Sequence, residues 1–414
     1  MKIFETDIAV IGGGAAGLTA AYKCAELNTR TILLERSRMT GGVLNQCIHS
    51  GFGLHYFNEE LTGPEYAARL AEKAVTHTVK IMTSCTVNEI TQTDGKHNLT
   101  VFSKEHGIFQ VSAKAVILAM GCREKCRGNL GIPGERCAGV FNAGLAQQLI
   151  NQGQYIPGSK AVIVGSGDIG LIMARRLTWS GVKVECAVEI MPYPAGLSRN
   201  IAQCLEDFNI PLYLNHTVTG IHGQSRVEAV SIAPLKNGIA DLTREQKIEC
   251  DTVLFSVGLV PENELVHQCG IQIDQITNGA IVDGNLMTSV KGIFSCGNVL
   301  HVHDLVDFVS LEAERAAANA VKFCRNELAE GNFIPIFPGE NVRYTVPQKV
   351  DPSQKNNFFL RSKKIMEQAM LEVKDQTGKI IHARKLSYIK PAEMISFELA
   401  DFYADALEIS LKEL

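Results

Sequence analysis

Residues Thr6–Ile11 form a short apolar and β-branched run with none of the alternation of a half-exposed strand. That pattern predicts a strand buried on both faces of a parallel sheet. It runs into Gly12, Gly14 and Gly17, then into the helix-favouring LTAAYKCAEL, then into a second apolar strand, TRTILLE, ending on Glu35. The same order returns from Ser159: strand SKAVIVG, glycines 165, 167 and 170, helix IGLIMARRLTWSG, and strand VKVECAVE ending on Glu189. Elsewhere the period shortens to two. VKIMTSCTVNEI, NLTVFSKEHG and GIFQVSAKAV read as alternating strands separated by turns at Asp94-Gly95 and His106-Gly107. Past Phe333, Pro335 and Pro338 mark a linker, and MLEVKDQTGKIIHARKL reads as two strands around an Asp375–Gly378 turn, the sign of a small β-rich unit.

Each glycine triplet follows a strand, opens a helix, and has an acid about 20 residues on, the register of a dinucleotide-binding βαβ unit. Gly12 permits the tight turn, Gly14 lets the backbone approach a pyrophosphate, and Gly17 lets the helix sit close on the strand. The helix N-terminus offers unpaired N–H groups and partial positive charge to the phosphates. Two complete units imply two dinucleotides, placed so that one reduces the other. The carboxylate of Glu189 favours a free ribose 2′-hydroxyl over a 2′-phosphate, and Ile190 and Met191 supply no arginine for that phosphate. NAD(H) is therefore expected over NADP(H), unless Glu189 is simply solvated.

Further stretches resemble the flavoprotein oxidoreductases with two nested dinucleotide-binding domains, the pyridine nucleotide-disulfide oxidoreductase superfamily that includes thioredoxin reductase. AVILAMG at 115–121 and VLFSVGLVPEN at 253–263 are similar to the family's domain crossovers, and VKGIFSCGNV at 290–299 to its second flavin motif. That motif usually reads Gly-Asp; here it is Gly297-Asn298. Asparagine still donates and accepts hydrogen bonds, so FAD binding is expected with altered local charge. GGVLNQCIHSGFGLHYF, GCREKCRGNLGIPGERCAGVFNAG and CGNVLHVHDLVDFVS are similar to the FAD/NAD-binding subunit of opine, sarcosine and amino-acid dehydrogenase complexes and of hydrogen cyanide synthase. The resemblance implies an α/β fold of two nested Rossmann-like domains plus the small C-terminal β-rich domain. FAD would bind across 1–125 and 260–333, NAD(P) in the insert 126–259, and residues 334–414 would be an added module, either a partner interface or a cover for the FAD domain. It implies FAD contacts at Gly12, Gly14, Ala15, Ala16, Gly17, Glu35, Arg36, Gly41, Gly42, Val87, Ala119, Gly121, Gly297 and Asn298. NAD would use Gly165, Gly167, Asp168, Ile169, Gly170, Glu189 and Gly258. The helix LVDFVSLEAERAAANAVKFC would close the FAD domain and aim its N-terminus at the flavin. It also implies a second flavoprotein as partner, with a small iron–sulfur protein beside it.

Composition narrows the rest. The 414 residues exceed what a single core of about 250–300 residues holds. With 46% hydrophobic and 20% charged residues the chain is ordinary for a soluble globular protein, and a net charge of −4 gives no footprint for nucleic acid or an anionic membrane. No basic start and apolar stretch marks a signal peptide, and no apolar run approaches the ~20 residues of a membrane span, so a cytoplasmic protein with reduced thiols is expected. The 12 cysteines contain no C-x-x-C. The nearest pair, Cys122 and Cys126, has Arg123, Lys125 and Arg127 around it to lower a thiol pKa, but reads more simply as a basic hinge. Cys47 and His49 follow the Gly41-Gly42 turn, where packing outweighs a redox role. His301, His303 and Asp304 follow the flavin motif; their spacing suggests flavin positioning or gating, and no metal site is assigned. Asp168 is placed to cap its own helix. Hydride transfer between nicotinamide and flavin needs no protein nucleophile. The expected function is an FAD- and NAD-dependent oxidoreductase acting as electron-relay subunit of a multi-subunit dehydrogenase. Two alternatives stand beside it: a free-standing NAD(P)H-dependent disulfide or small-acceptor reductase, and a non-redox partner subunit holding NAD or ATP.

Overall fold

The computed structural model describes residues 2–414, and the chain divides into two compact units. One comprises the chain up to Cys122 together with Pro261–Leu414; the other is Arg123–Val260.

The first unit is built on a sheet in which Lys80–Met82, Thr31–Leu34, Lys2–Ile11 and Gly107–Leu118 run parallel in that order. Strand Gly107–Leu118 is long enough to serve two neighbours. Its second half pairs in parallel with Ile293–Ser295, and its first half begins an antiparallel meander with Lys96–Ser103 and Cys85–Thr93. The parallel strands are buried almost throughout, as their unbroken apolar runs require. The expected strand VKIMTSCTVNEI is two strands, broken between Met82 and Cys85, where Ser84 takes a positive φ of 52° and its amide bonds Ser37. Helices Ala15–Glu26 and Val306–Cys324 pack together against the sheet.

The second unit has a five-stranded all-parallel sheet of Val140–Asn142, Thr252–Phe255, Lys160–Val164, Lys183–Val188 and Leu212–Tyr213. Helix Asp168–Trp179 covers one face through Leu171, Met173, Ala174 and Leu177. An antiparallel sheet, His216–His222, Ala229–Lys236, Ile239–Ala240 and Gln246–Glu249, adds to the other side of its core.

The C-terminal module consists of two β-sheets. Five strands, from Lys349–Val350 through Ile334–Pro338, Leu407–Glu413 and Met366–Asp375 to Ile380–Ile389, face three others, Val342–Val346, Asn356–Ser362 and Ile395–Leu399. Ile336, Phe358, Leu371, Phe397 and Leu411 share one apolar core between them. The Asp375–Gly378 turn stands where the alternation places it, with Asp375 Oδ1 accepting from the amides of Thr377 and Lys379. Among the described residues no helix is long and apolar enough to cross a membrane.

Candidate functional site

Strand register brings the sequence-assigned glycines together. Ile11, Leu34 and Leu118 are level neighbours, and Ser295 is level with Leu118. Gly12, Glu35, Ala119 and Gly297 therefore leave the sheet at one edge, the carboxyl end, where open α/β sheets bind ligands. The loop is held from both sides: the Gly12 amide donates to Leu34 at 2.9 Å and the Ala119 amide to Ile11 at 2.9 Å. Gly12 has φ +101°, and a Cβ there would meet the Ala119 carbonyl oxygen at 2.4 Å. At Gly17 a Cβ would fall 1.6 Å from the Gly12 oxygen, so the helix sits directly on the turn. Gly14 differs: a Cβ there meets nothing within 4 Å. Its hydrogen faces open space at the helix N-terminus, a cradle left free for a phosphate.

The acid is part of the cradle. Buried Glu35 accepts from the Gly13 amide and the Ser37 amide, each at 2.6 Å. The Gly41 amide donates to the Gly13 carbonyl at 2.7 Å, and a Cβ on Gly42 would stand 3.1 Å from the Gly14 Cα, so this turn lies against the loop. Ala15 and Ala16 open the helix; Arg36 is exposed and pairs with Glu262 at 3.4 Å. Val87 stands two residues beyond Cys85, whose amide donates to the Glu35 carbonyl at 2.9 Å, and the Gly121 carbonyl accepts from the Glu262 amide at 3.0 Å. These residues fit a dinucleotide whose pyrophosphate lies on the glycine turn.

The second unit repeats the design. Gly165 has φ +90°, and a Cβ would meet the Ser256 carbonyl oxygen at 2.1 Å; at Gly170 it would meet the Ser256 side chain at 2.6 Å. A Cβ on Gly167 would stand 3.3 Å from the Ser256 hydroxyl and 3.6 Å from the Ser256 carbonyl oxygen, a far looser fit than at Gly165 or Gly170. Buried Glu189 accepts from the Ser166 amide at 2.9 Å, the Ser166 hydroxyl at 2.5 Å and the Met191 amide at 2.9 Å, so it is not the merely solvated acid of the alternative reading. Asp168 does not cap its helix: Gly167 occupies the N-cap, and Asp168 Oδ1 accepts from the Leu197 amide and Asn200 Nδ2, tying down the loop after Glu189. Ile169 packs toward the core beneath the sheet, and Gly258, φ +97°, accepts from the Lys125 amide through its carbonyl at 2.9 Å.

The cysteines separate by environment. Cys47 is half-buried; desolvation pushes its thiol up to about 12, and its Sγ bonds the Val43 carbonyl at 3.3 Å. His49 stacks near Phe52 with its Nδ1 3.0 Å from the Ser50 carbonyl oxygen. Cys122 is half-buried in strand Cys122–Glu124, and exposed Cys126 caps the short helix Arg127–Leu130. Backbone hydrogen bonds from Asn129 and Gly128 hold the Cys126 thiol below its ordinary value. Of the three basic residues expected to do so, Arg127 is engaged elsewhere, donating to the carbonyls of Ile132, Glu135 and Gly134.

Past the flavin motif the chain makes a 3-10 turn, Gly297–Val299, and the long helix starts only at Val306. Its first turn carries Asp307, 2% exposed, which accepts from the amides of Gly53 and His55. The helix terminus thus brings a carboxylate as well as its dipole. His301 and His303 are buried against a third residue the sequence reading missed, Glu312. Glu312 stands on the helix's buried stripe between Val309 and Ala316, and an acid at such a position is the signal that was available. Asp304 instead faces Arg361 of the C-terminal module.

The profile of the pyridine nucleotide-disulphide oxidoreductase family matches residues 6–322. The chain is 29% identical over 299 residues to thioredoxin reductase of Treponema pallidum, an alignment covering 71% of this chain and 89% of that protein. It is 28% identical over 328 residues to hydrogen cyanide synthase subunit HcnB of Pseudomonas protegens, covering 74% and 67% respectively. The solved thioredoxin reductase of T. acidophilum shares the fold at a TM-score of 0.64 and 24% identity, covering 77% of this chain and 98% of its own.

Proposed function

The chain belongs to the pyridine nucleotide-disulphide oxidoreductase family and is an FAD-dependent oxidoreductase, and we propose that it passes electrons between NAD(H) and FAD as the relay subunit of a multi-subunit dehydrogenase. The observation that carries this reading is the pair of glycine cradles, each with its own carboxylate bonded into the turn. Bound flavin supplies the hydride-accepting chemistry, and the protein supplies binding, orientation and electrostatics. Gly12–Gly17 with Glu35 hold the FAD pyrophosphate and ribose, and Gly297 with Asn298 hold the chain leading to the ring. Gly165–Gly170 present the second helix N-terminus to NAD. Glu189, already fixed by Ser166 and Met191, keeps lone pairs for ribose hydroxyls and repels a 2′-phosphate, so NADH is the expected donor.

Two observations favour the relay role. HcnB is named as a subunit of hydrogen cyanide synthase, and residues beyond 322 form a folded module outside the family match. The partners that fit are a second flavoprotein that oxidises the organic substrate and a small iron–sulfur protein. The thioredoxin reductase relative keeps one rival open, a free-standing disulfide reductase using Cys122 and Cys126. The test is an assay with NADH against a disulfide substrate and against an artificial redox dye. Dye reduction that survives C122S/C126S, with no disulfide turnover, is the expected result. Disulfide turnover lost in that double variant would replace the relay reading. NADH should exceed NADPH in kcat/KM by about tenfold or more, a difference of ~1.4 kcal/mol or greater, and parity would remove the role given to Glu189.

A further inference from the structure

Glu312, His301 and His303 lie in the helix and loop that follow the flavin motif, with side chains 0%, 0% and 1% exposed respectively. Their contacts lead back to both motif residues. Glu312 Oε1 accepts from the Gly297 amide at 2.7 Å, and Oε2 accepts from His301 Nε2 at 2.8 Å. His303 Nε2 stands 3.2 Å from Oε1. The His303 amide donates to Asn298 Oδ1 at 3.1 Å. A backbone amide can only donate, so this bond fixes the Asn298 amide orientation and turns Nδ2 outward as a donor.

We propose that Glu312, with His301 and His303, is a positioning unit for the flavin-holding turn Gly297-Asn298, and that its buried charge sets a low reduction potential for FAD bound there. The proposal rests on the FAD reading above. Glu312 commits the Gly297 amide to the protein, and His303 commits the Asn298 oxygen; the Asn298 side chain then offers the cofactor a donor, where an aspartate would present only acceptors. A carboxylate with no solvent contact acts through a medium of low dielectric. A negative charge there disfavours adding electrons to a neighbouring ring.

The groups around the unit leave that charge in place. Burial pushes His301 down, toward the neutral form, with His303 acting in the same sense. Burial also opposes the charge of Glu312, but the facing imidazoles and their hydrogen bonds outweigh it. Cys296 is a fully buried thiol held protonated by desolvation. Arg315, one turn along the helix and buried over the Phe359 ring, is a cation coupled to Glu312; it keeps the carboxylate ionised and offsets part of its field. From the C-terminal module, Tyr344 and Phe359 pack on the imidazoles, and Arg361 is occupied by Asp304. The Nδ1 atoms of His301 and His303 have no hydrogen-bond partner among the described residues. The C-terminal module is thus the lid of this unit, which is one reason for the chain to carry it.

Two variants separate charge from geometry. E312Q keeps an oxygen for the Gly297 amide and loses the charge. It should hold FAD within about threefold of the parent affinity while the NADH/FAD equilibrium moves at least tenfold toward reduced flavin, which is 29.6 mV for a two-electron couple. E312D keeps the charge and withdraws the oxygen. It should lose about tenfold in FAD affinity, ~1.4 kcal/mol, with the potential within twofold on the same scale. Both are measured on the full chain, with melting curves to confirm folding. An E312Q potential equal to the parent's, or E312D binding FAD as the parent does, overturns the proposal. A parent chain that takes up no FAD at all overturns the cofactor reading instead.

Discussion

Gly14 caps the helix Ala15–Glu26 and Gly17 lies in its first turn, yet a methyl group at each should act differently. At Gly17 it would overlap the Gly12 carbonyl oxygen at 1.6 Å. G17A should therefore lower stability by about 3 kcal/mol or more, read from chemical unfolding of the apoprotein. At Gly14 the backbone is extended, φ −77°, and the space is empty. G14A should leave apoprotein stability within about 0.5 kcal/mol and weaken FAD binding by about tenfold or more. Equal FAD affinity in G14A would show that the empty space is not the cofactor's. The thiols give a second residue-scale test. Exposed Cys126, with its lowered pKa, should be alkylated first near neutral pH, while half-buried Cys47, held up at about 12, should react much later. Mass spectrometry of the labelled peptides reads the order, and early labelling of Cys47 would contradict its packed role.

At the scale of elements, the βαβ units and the meander were legible because buried parallel strands, glycine turns and alternating strands each leave a local pattern. Thr31–Leu34, Lys160–Val164 and the long helix from Val306 stand within a few residues of where the pattern puts them. The site's glycines and acids were legible for the same reason: each is fixed by its own turn. What the sequence hid depends on contacts between distant segments. Nothing near Glu312 announces that His301 and His303 fold back onto it. Asp168 reads as a cap until Leu197 and Asn200 arrive from the following loop. The clamp on the C-terminal module is hidden in the same way. Arg361, in strand Asn356–Ser362, reaches Asp304, the Tyr344 hydroxyl and the carbonyls of Val302, Pro391 and Ala392, and the Met394 amide also donates to Asp304. Both partners of the ion pair are largely buried. Removing one leaves an uncompensated charge, so R361A should cost about 3–5 kcal/mol in thermal or chemical unfolding. A change below about 0.5 kcal/mol would mean the clamp is an ordinary surface pair.

Across the whole molecule, one part of the pH dependence of stability is traceable to a single buried acid. Asp283 accepts from the amides of Asn285 and Met287, yet burial pushes it up to about 6 from an ordinary 3.8. A carboxyl whose pKa is higher in the folded state favours folding fully below the unfolded value, and that contribution is lost as pH rises through about 6. The loss is about 3 kcal/mol. D283N should match the parent near pH 4 and exceed it by up to that amount at pH 8; identical curves across the range would refute the assignment. The proposed function requires both cradles to be filled in one chain and electrons to pass between their occupants. The direct measurement is an anaerobic titration of the FAD-loaded protein with NADH, following the visible flavin absorbance in the parent and in G167A, whose added methyl comes no closer than 3.3 Å to its nearest neighbour, the Ser256 hydroxyl. Bleaching at about one NADH per flavin in the parent, needing severalfold more NADH in G167A, is the expected result. A flavin that stays oxidised under excess NADH would contradict electron transfer between the two nucleotides.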